Sequence, residues 1–322
     1  MSGEATPCIL CGFPDSEIVS RLDRSKKPLV TRLCRGCGLV FNDPIPSDED
    51  LSAFYATHYR LEYKGAFRPR GRQIIRNFRR VGAHIQDFSD LIAPARSVLD
   101  IGAGSGEFLF AMAIAEKAAL GIEPNREYAA YCREALGLDV RTDALAPDLF
   151  EPGRFDFIRL NHVLEHLNDP IASLSMIARF LADDGVLYVE VPNIEIYARS
   201  KSVGRMFHYG HIFTFSPWTL QAAAGRAGLS AEQRTAGTTG IFLRKADRTW
   251  SADDARNPQN ATQVHGLITA HYEGAFRAGR AVKPIGKLIA RAEETISSRR
   301  LGDPQSIGRA VLAKAGVLEL LQ

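Results

Sequence analysis

The chain has 322 residues, 45% hydrophobic and 24% charged, with 40 Lys and Arg against 37 Asp and Glu for a net charge of +3. This is an ordinary globular composition with ample core-forming residues, long enough for one large domain or two smaller ones. The small net charge gives no general attraction to nucleic acid, no run reaches the roughly 18 apolar residues of a membrane span, and no secretory leader is visible, so a soluble cytoplasmic protein is expected.

The first feature along the chain is Cys8-x-x-Cys11 followed by Cys34-x-x-Cys37, each pair trailed by a glycine, Gly12 and Gly38. Thiolates two residues apart on a tight turn can face one tetrahedral ion, and two such turns complete a structural four-cysteine zinc site. Two disulfides are the competing reading, disfavoured in a reducing cytosol. Cys132 falls in a helical pattern and reads as a buried apolar residue. Leu39 to Phe41 is expected as a strand beside the second turn. Pro44 and Pro46 mark a boundary, and Ser47 to Asp50 reads as a helix start. The segment Tyr59 to Ala83 is basic, holding Arg60, Lys64, Arg68, Arg70, Arg72, Arg76, Arg79 and Arg80 against Glu62.

Strands are expected at 97–101, 118–122, 138–141, 155–160, 185–191, 229–236 and 239–244, and helices at 105–117, 125–136, 169–182 and 217–227. That alternation predicts an α/β fold with a seven-stranded, mostly parallel sheet covered by helices on both faces. The first strand ends in Asp100 and runs into Gly102-Ala103-Gly104-Ser105-Gly106. Glycine permits both the tight turn and the close approach of a ligand to the backbone. The spacing is not that of a Walker loop, since no Lys-Ser/Thr follows. Glu123 stands at the tip of the second strand, where a carboxylate can take both hydroxyls of a ribose.

Four blocks, Val98 to Phe108, Gly121 to Asn125, Arg154 to Pro170 and Asp184 to Asn193, resemble the motifs of class I S-adenosylmethionine-dependent methyltransferases. The resemblance covers about residues 95–245. It implies a Rossmann-like domain whose last strand pair, joined at Gly237, is an antiparallel hairpin. It also implies that Asp100, Gly102, Ala103, Gly104, Gly106, Glu123 and Pro124 contact the donor, that Asp143 and Ala144 contact its adenine, and that Asn161 and His162 border it. His162, Glu165 and His166 also spell an inverted zinc-protease motif, but they follow a strand rather than lying on a long helix. Glu165 and His166 are expected to fix the loop.

Phe207 to Ser216 contains His208 and His211 and is similar to a segment of zinc-containing sugar C-methyltransferases, which join a zinc module to this core and act on nucleotide-linked deoxysugars. His211 falls on the position of their base, and Gly210 stands where they carry a glutamate. The expected acceptor is a small molecule, a sugar or polysaccharide precursor. An RNA methyltransferase using residues 60–80 is the alternative, and a non-catalytic binding protein the third reading. Tyr55, Tyr59 and Tyr63 are candidates to line the acceptor pocket. The expected organisation is a zinc module over 1–46, a basic helical lid over 47–94, the methyltransferase domain over 95–245 and a helical extension over 246–322. In that extension 246–260 reads as irregular, while Ile285 to Ile296 and Val311 to Leu321 carry amphipathic stripes suited to packing or dimerisation.

Overall fold

The computed structural model describes residues 7–47, 49–51, 69, 71–234, 239–276, 294–296 and 300–322. The expectations for Tyr55, Tyr59 and Tyr63, for Arg60, Glu62, Lys64, Arg68 and Arg70, for the turn at Gly237, and for Ile285 to Ala292 lie outside these residues.

Seven strands form one mostly parallel sheet. They are β4 (Ser97–Ile101), β5 (Ala118–Ile122), β6 (Val140–Arg141), β7 (Phe155–Asn161), β8 (Leu181–Val191), β10 (Leu229–Arg234) and β11 (Thr239–Lys245), in the order β10-β11-β8-β7-β4-β5-β6. β4 and β5 pair in parallel, as do β5 and β6. β11 runs antiparallel to both β8 and β10. The α/β class and the seven-stranded sheet are therefore as expected. A second sheet has the order β1-β2-β3-β9, from β1 (Ser16–Leu22), β2 (Pro28–Cys34), β3 (Val40–Asn42) and β9 (Phe213–Thr214).

Contacts divide the chain into two compact units. The unit built from residues 60–159, 180–186 and 282–322 contains β4 to β6. Its helix α1 (Gly71–Asp87) buries Ile74, Ile75, Phe78, Val81 and Ile85 on one face. That stripe is hidden in the sequence by the arginines interleaved with it. Helix α2 (Glu107–Ile114) starts two residues later than expected, because Gly106 is held left-handed at φ 80°. A Cβ on Gly106 would stand 2.8 Å from Cys132 Sγ and from Leu138, so only glycine fits. Helix α3 (Arg126–Leu136) is capped by the Asn125 side chain, which accepts from the N–H groups of Glu127 and Tyr128. At the base of the sheet, Asp156 Oδ2 accepts from Arg96 N and Ser97 N, both at 2.9 Å, and Ser97 Oγ accepts from Asp156 N.

The unit built from residues 1–59, 160–179 and 187–281 contains the cysteines. Leu33 and Val40 share a core with Ile194 and Ala198 of α5 (Ile194–Ser200), with Met206 and Phe207, and with Val264 and Ile268 of α7 (Pro258–Tyr272). Two further helices are α4 (Pro170–Phe180) and α6 (Pro217–Arg226), the latter begun by a Ser216–Thr219 capping box. The strand expected at 39–41 is Val40–Asn42, that at 138–141 shortens to Val140–Arg141, and β8 begins at Leu181. Helix α7 begins inside the stretch read as irregular. Its start signals, Asn257 as cap and Pro258 in the first turn, are weak beside the polar residues around them.

Candidate active site

The parallel strands β4, β5 and β6 bring their C-terminal ends to one edge, where an open α/β sheet binds ligands. β4 delivers Asp100 and the glycine turn. Gly102 N and Ala103 N donate to Ile122 O at 2.8 and 3.0 Å, and Gly104 N donates to Glu123 Oε2 at 2.9 Å. Glu123 Oε1 accepts from Asn125 N at 2.9 Å, so the carboxylate is clamped against the turn, and each oxygen can accept a further bond. Gly104 sits at φ 56°, and a Cβ there would meet nothing nearer than Gly102 O at 3.9 Å. The turn thus offers bare backbone to open space. Pro124 is exposed, Asp143 half-buried and Ala144 exposed beyond β6.

This edge is acidic. Glu107 is buried in the first turn of α2, where it accepts from Ser105 Oγ at 2.7 Å and from Asn77 Nδ2 at 3.0 Å. Its charge already complements the positive helix end, which in dinucleotide and phosphate sites faces a phosphate. Asp100 is fully buried and accepts from Arg159 at 3.1 and 3.3 Å. Burial pushes its carboxyl up, opposed by the Arg159 guanidinium. Cys132, whose Sγ donates to Gly104 O at 3.3 Å, is pushed up by burial and then by the fields of Glu107, Glu123 and Asp100. Glu123 and Glu107 therefore stand as carboxylates at the turn, while Asp100 is held by Arg159. That environment favours a cationic ligand over a phosphate.

The other unit carries Asn161, His162 and His211. His162 follows β7 with φ 56°, a left-handed backbone that a non-glycine residue adopts only under constraint. Its N–H donates to Glu190 O at 2.8 Å, which holds the turn. Glu165 is 0% exposed, and His162 Nδ1, His166 Nε2 and His211 Nε2 stand 3.4, 3.8 and 3.9 Å from its Oε1. A carboxylate thus reaches His211 from a different element, which sequence spacing could not reveal. The His208 and His211 rings lie 3.8 Å apart between centroids. Burial, with the charges of Arg24 and His166 next, lowers His208 to about 3. Burial and then His208, His166 and His162 lower His211 well below the ordinary histidine range, so its imidazole is neutral at pH 7.

In the same unit the four thiols Cys8, Cys11, Cys34 and Cys37 are buried and their Sγ atoms lie within 4.8 Å of one another. Cys8 to Cys37 is 3.7 Å and Cys11 to Cys34 is 3.5 Å. A disulfide needs about 2.05 Å, whereas a tetrahedral zinc ion at about 2.3 Å from each sulfur sets them about 3.8 Å apart. Gly36 N and Leu39 N donate to Cys34 and Cys37 Sγ, as thiolate ligands require. The cluster fits a structural zinc ion. It is held from outside as well: Asn260 Nδ2 donates to Cys37 O at 2.7 Å, and Arg226 donates to Leu10 O at 2.6 Å.

Fold and site together define an α/β enzyme with a ligand-binding turn at the end of its first parallel strand. Residues 72–234 match the methyltransferase domain family. The chain belongs to that family and is a methyltransferase. No curated relative matches. Among solved structures it is similar to a Burkholderia thailandensis 1,6-didemethyltoxoflavin-N1-methyltransferase with bound S-adenosylhomocysteine, at 19% identity and TM-score 0.47, over 65% of this chain and 96% of that one. It is similar also to the putative methyltransferase complexed with the Trm112 activator of Haloferax volcanii, at 15% identity and TM-score 0.43, over 62% and 98%. A third is magnesium protoporphyrin IX methyltransferase of Synechocystis PCC 6803, at 16% identity and TM-score 0.39, over 52% and 81%. Among the described residues no helix is long and apolar enough to cross a membrane.

Proposed function

We propose that the chain methylates a small molecule, a sugar or polysaccharide precursor, and that the glycine turn holds the donor. When bound, S-adenosylmethionine supplies an electrophilic methyl group on a sulfonium. The observation that carries the reading is the turn itself: Gly104 presents bare backbone to open space beside Glu123, whose carboxylate is fixed by Gly104 N and Asn125 N at 2.9 Å each, with Glu107 in the first turn of the helix that follows. In this assignment Gly102, Ala103, Gly104 and Gly106 give the donor backbone contact. Glu123, with Pro124, takes the ribose. Asp143 and Ala144 take the adenine, and Asn161 and His162 border it.

Methyl transfer is an in-line displacement, so this chain has to place the acceptor behind the methyl group, a contribution of about 7–11 kcal/mol at best. Loss of the acceptor's proton falls to the cluster around His211, whose neutral imidazole retains a lone pair at pH 7. A nucleic-acid acceptor is less well supported. Arg76 and Arg79 of the basic segment share Glu294, at 2.9 and 3.7 Å, rather than standing uncompensated on the surface. The test is methyl uptake from labelled donor across a panel of nucleotide-linked sugars and total RNA. Label in a nucleotide sugar, lost in His211→Ala by roughly 10²–10⁴ in rate, supports the reading. Label in RNA alone overturns it.

A further inference from the structure

The Glu165 carboxylate presents a problem of physical chemistry. It is 0% exposed, and neither oxygen has a hydrogen-bond partner among the described residues. A buried carboxylate without hydrogen bonds is costly unless a cation neutralises it. Its neighbours are imidazoles, and one has its tautomer fixed. His166 Nδ1 is hydrogen-bonded to the Gly210 carbonyl, which can only accept, so Nδ1 carries the proton. In the neutral ring Nε2 then has a lone pair, and it is this atom that faces Glu165 Oε1 at 3.8 Å. A lone pair and a carboxylate facing each other repel unless something positive lies between them. A proton on Glu165 or on either facing Nε2 gives no hydrogen bond across the gap, because 3.8 and 3.9 Å exceed one.

We propose that Glu165, His166 Nε2 and His211 Nε2 bind a divalent transition-metal ion, zinc in the first instance, separate from the ion of the four cysteines. One atom from each of the three residues lies within 4.8 Å of the others. An ion at about 2.0–2.2 Å from each ligand sets neighbouring ligands about 3.3–3.6 Å apart, so the Glu165 contacts need to close by about 0.2–0.6 Å and the two histidine nitrogens by about 1.5 Å at most. The backbone carbonyl on His166 Nδ1 is the outer partner that metal-bound histidines use to fix ring and tautomer. His162 Nδ1, at 3.4 Å from the same carboxylate oxygen, is the nearest further donor. Two histidines and one carboxylate are a ligand set that leaves a position for an exogenous oxygen. Resting on the methyl-transfer reading, that position is for an oxygen of the acceptor, and the cluster around His211 then eases loss of the acceptor's proton through the bound ion.

The experiment is metal content of the full chain after loading with zinc and desalting, with Glu165→Gln, His211→Ala and Cys34→Ser alongside. The expected result is two equivalents in the wild type and one in each of the three variants. Cobalt loading identifies which one is lost: the thiolate-to-cobalt absorption persists in Glu165→Gln and His211→Ala and vanishes in Cys34→Ser. That persisting band also shows that the two cluster variants remain folded around the cysteines. One equivalent in the wild type overturns the proposal, and so do two equivalents retained in both Glu165→Gln and His211→Ala. Neither outcome bears on whether the chain transfers methyl groups, which the labelled-donor assay reads separately.

Discussion

Asn42 Nδ2 donates to the carbonyl of His211 at 3.1 Å, and it reaches the carbonyls of His208 and Tyr209 at 3.3 Å. Asn42 is 2% exposed and ends β3, whose Val40 and Phe41 pair with Thr214 and Phe213 of β9. One buried amide therefore fastens the histidine segment to the strand that follows the second cysteine pair. The four-cysteine part and the histidine segment are pieces of one sheet and one core, so an ion bound to the cysteines would support both.

Asn42→Leu removes the buried donor that reaches the carbonyls of His208, Tyr209 and His211, while His208 O keeps the bond from His211 N at 3.1 Å. We expect it to lower stability by about 1–3 kcal/mol, measured as a shift in urea midpoint at unchanged slope. A midpoint equal to the wild type contradicts the clamp.

Removal of the thiolate-bound ion should unfold more than the two knuckles. Cys34→Ser is expected to lose that equivalent and to expose β1 to β3 and β9 together, because they share a sheet and the core around Leu33 and Val40. Hydrogen exchange reads this directly. Protection of Phe213 and Thr214 that survives loss of the ion contradicts the coupling.

Asp100 and Arg159 form a buried pair, with Asp100 wholly inside and the guanidinium 4.8 Å over the Phe108 ring. Arg159→Met leaves Asp100 uncompensated and should cost about 3–5 kcal/mol. The double variant with Asp100→Asn should cost less than the sum of the two single changes. Additive costs in a double-mutant cycle contradict the pairing.

His84 is held at about 3 by burial and then by Arg159, below its ordinary 6.5. The unfolded chain therefore binds the proton first. The contribution of neutral His84 is complete above pH 6.5 and declines as pH falls from 6.5 toward 3, by up to about 1.4 kcal/mol per pH unit. His84→Phe should flatten that part of the stability profile, read as urea midpoints at about pH 7.5, 6.5 and 5.5. Parallel profiles for the two proteins contradict the assignment.

The parallel core is legible in the sequence because short apolar runs such as Val98 to Ile101 and Leu120 to Ile122 end in turn residues with one local meaning. The cysteine cluster is legible for the same reason, since its spacing is its geometry. Other parts depend on distant residues. β1 and β2 are half-buried and irregular in register, with shifts between Ile18 and Leu22, so their alternation is blurred. The α1 core stripe is masked by arginines, two of which find their partner in Glu294 more than 200 positions away. Glu165 reads from sequence as a loop-fixing residue, because nothing near it in the chain shows that His211 folds back over it.

The most direct measurement is calorimetric titration of S-adenosylmethionine into the wild type and Glu123→Ala. Saturable binding at one site per chain is expected, weakened about 10- to 150-fold in the variant, as follows from losing hydrogen bonds to a charged group worth about 1.5–3 kcal/mol. No heat of binding in the wild type, or equal affinity in the two proteins, would contradict the placement of the methyl donor at the glycine turn.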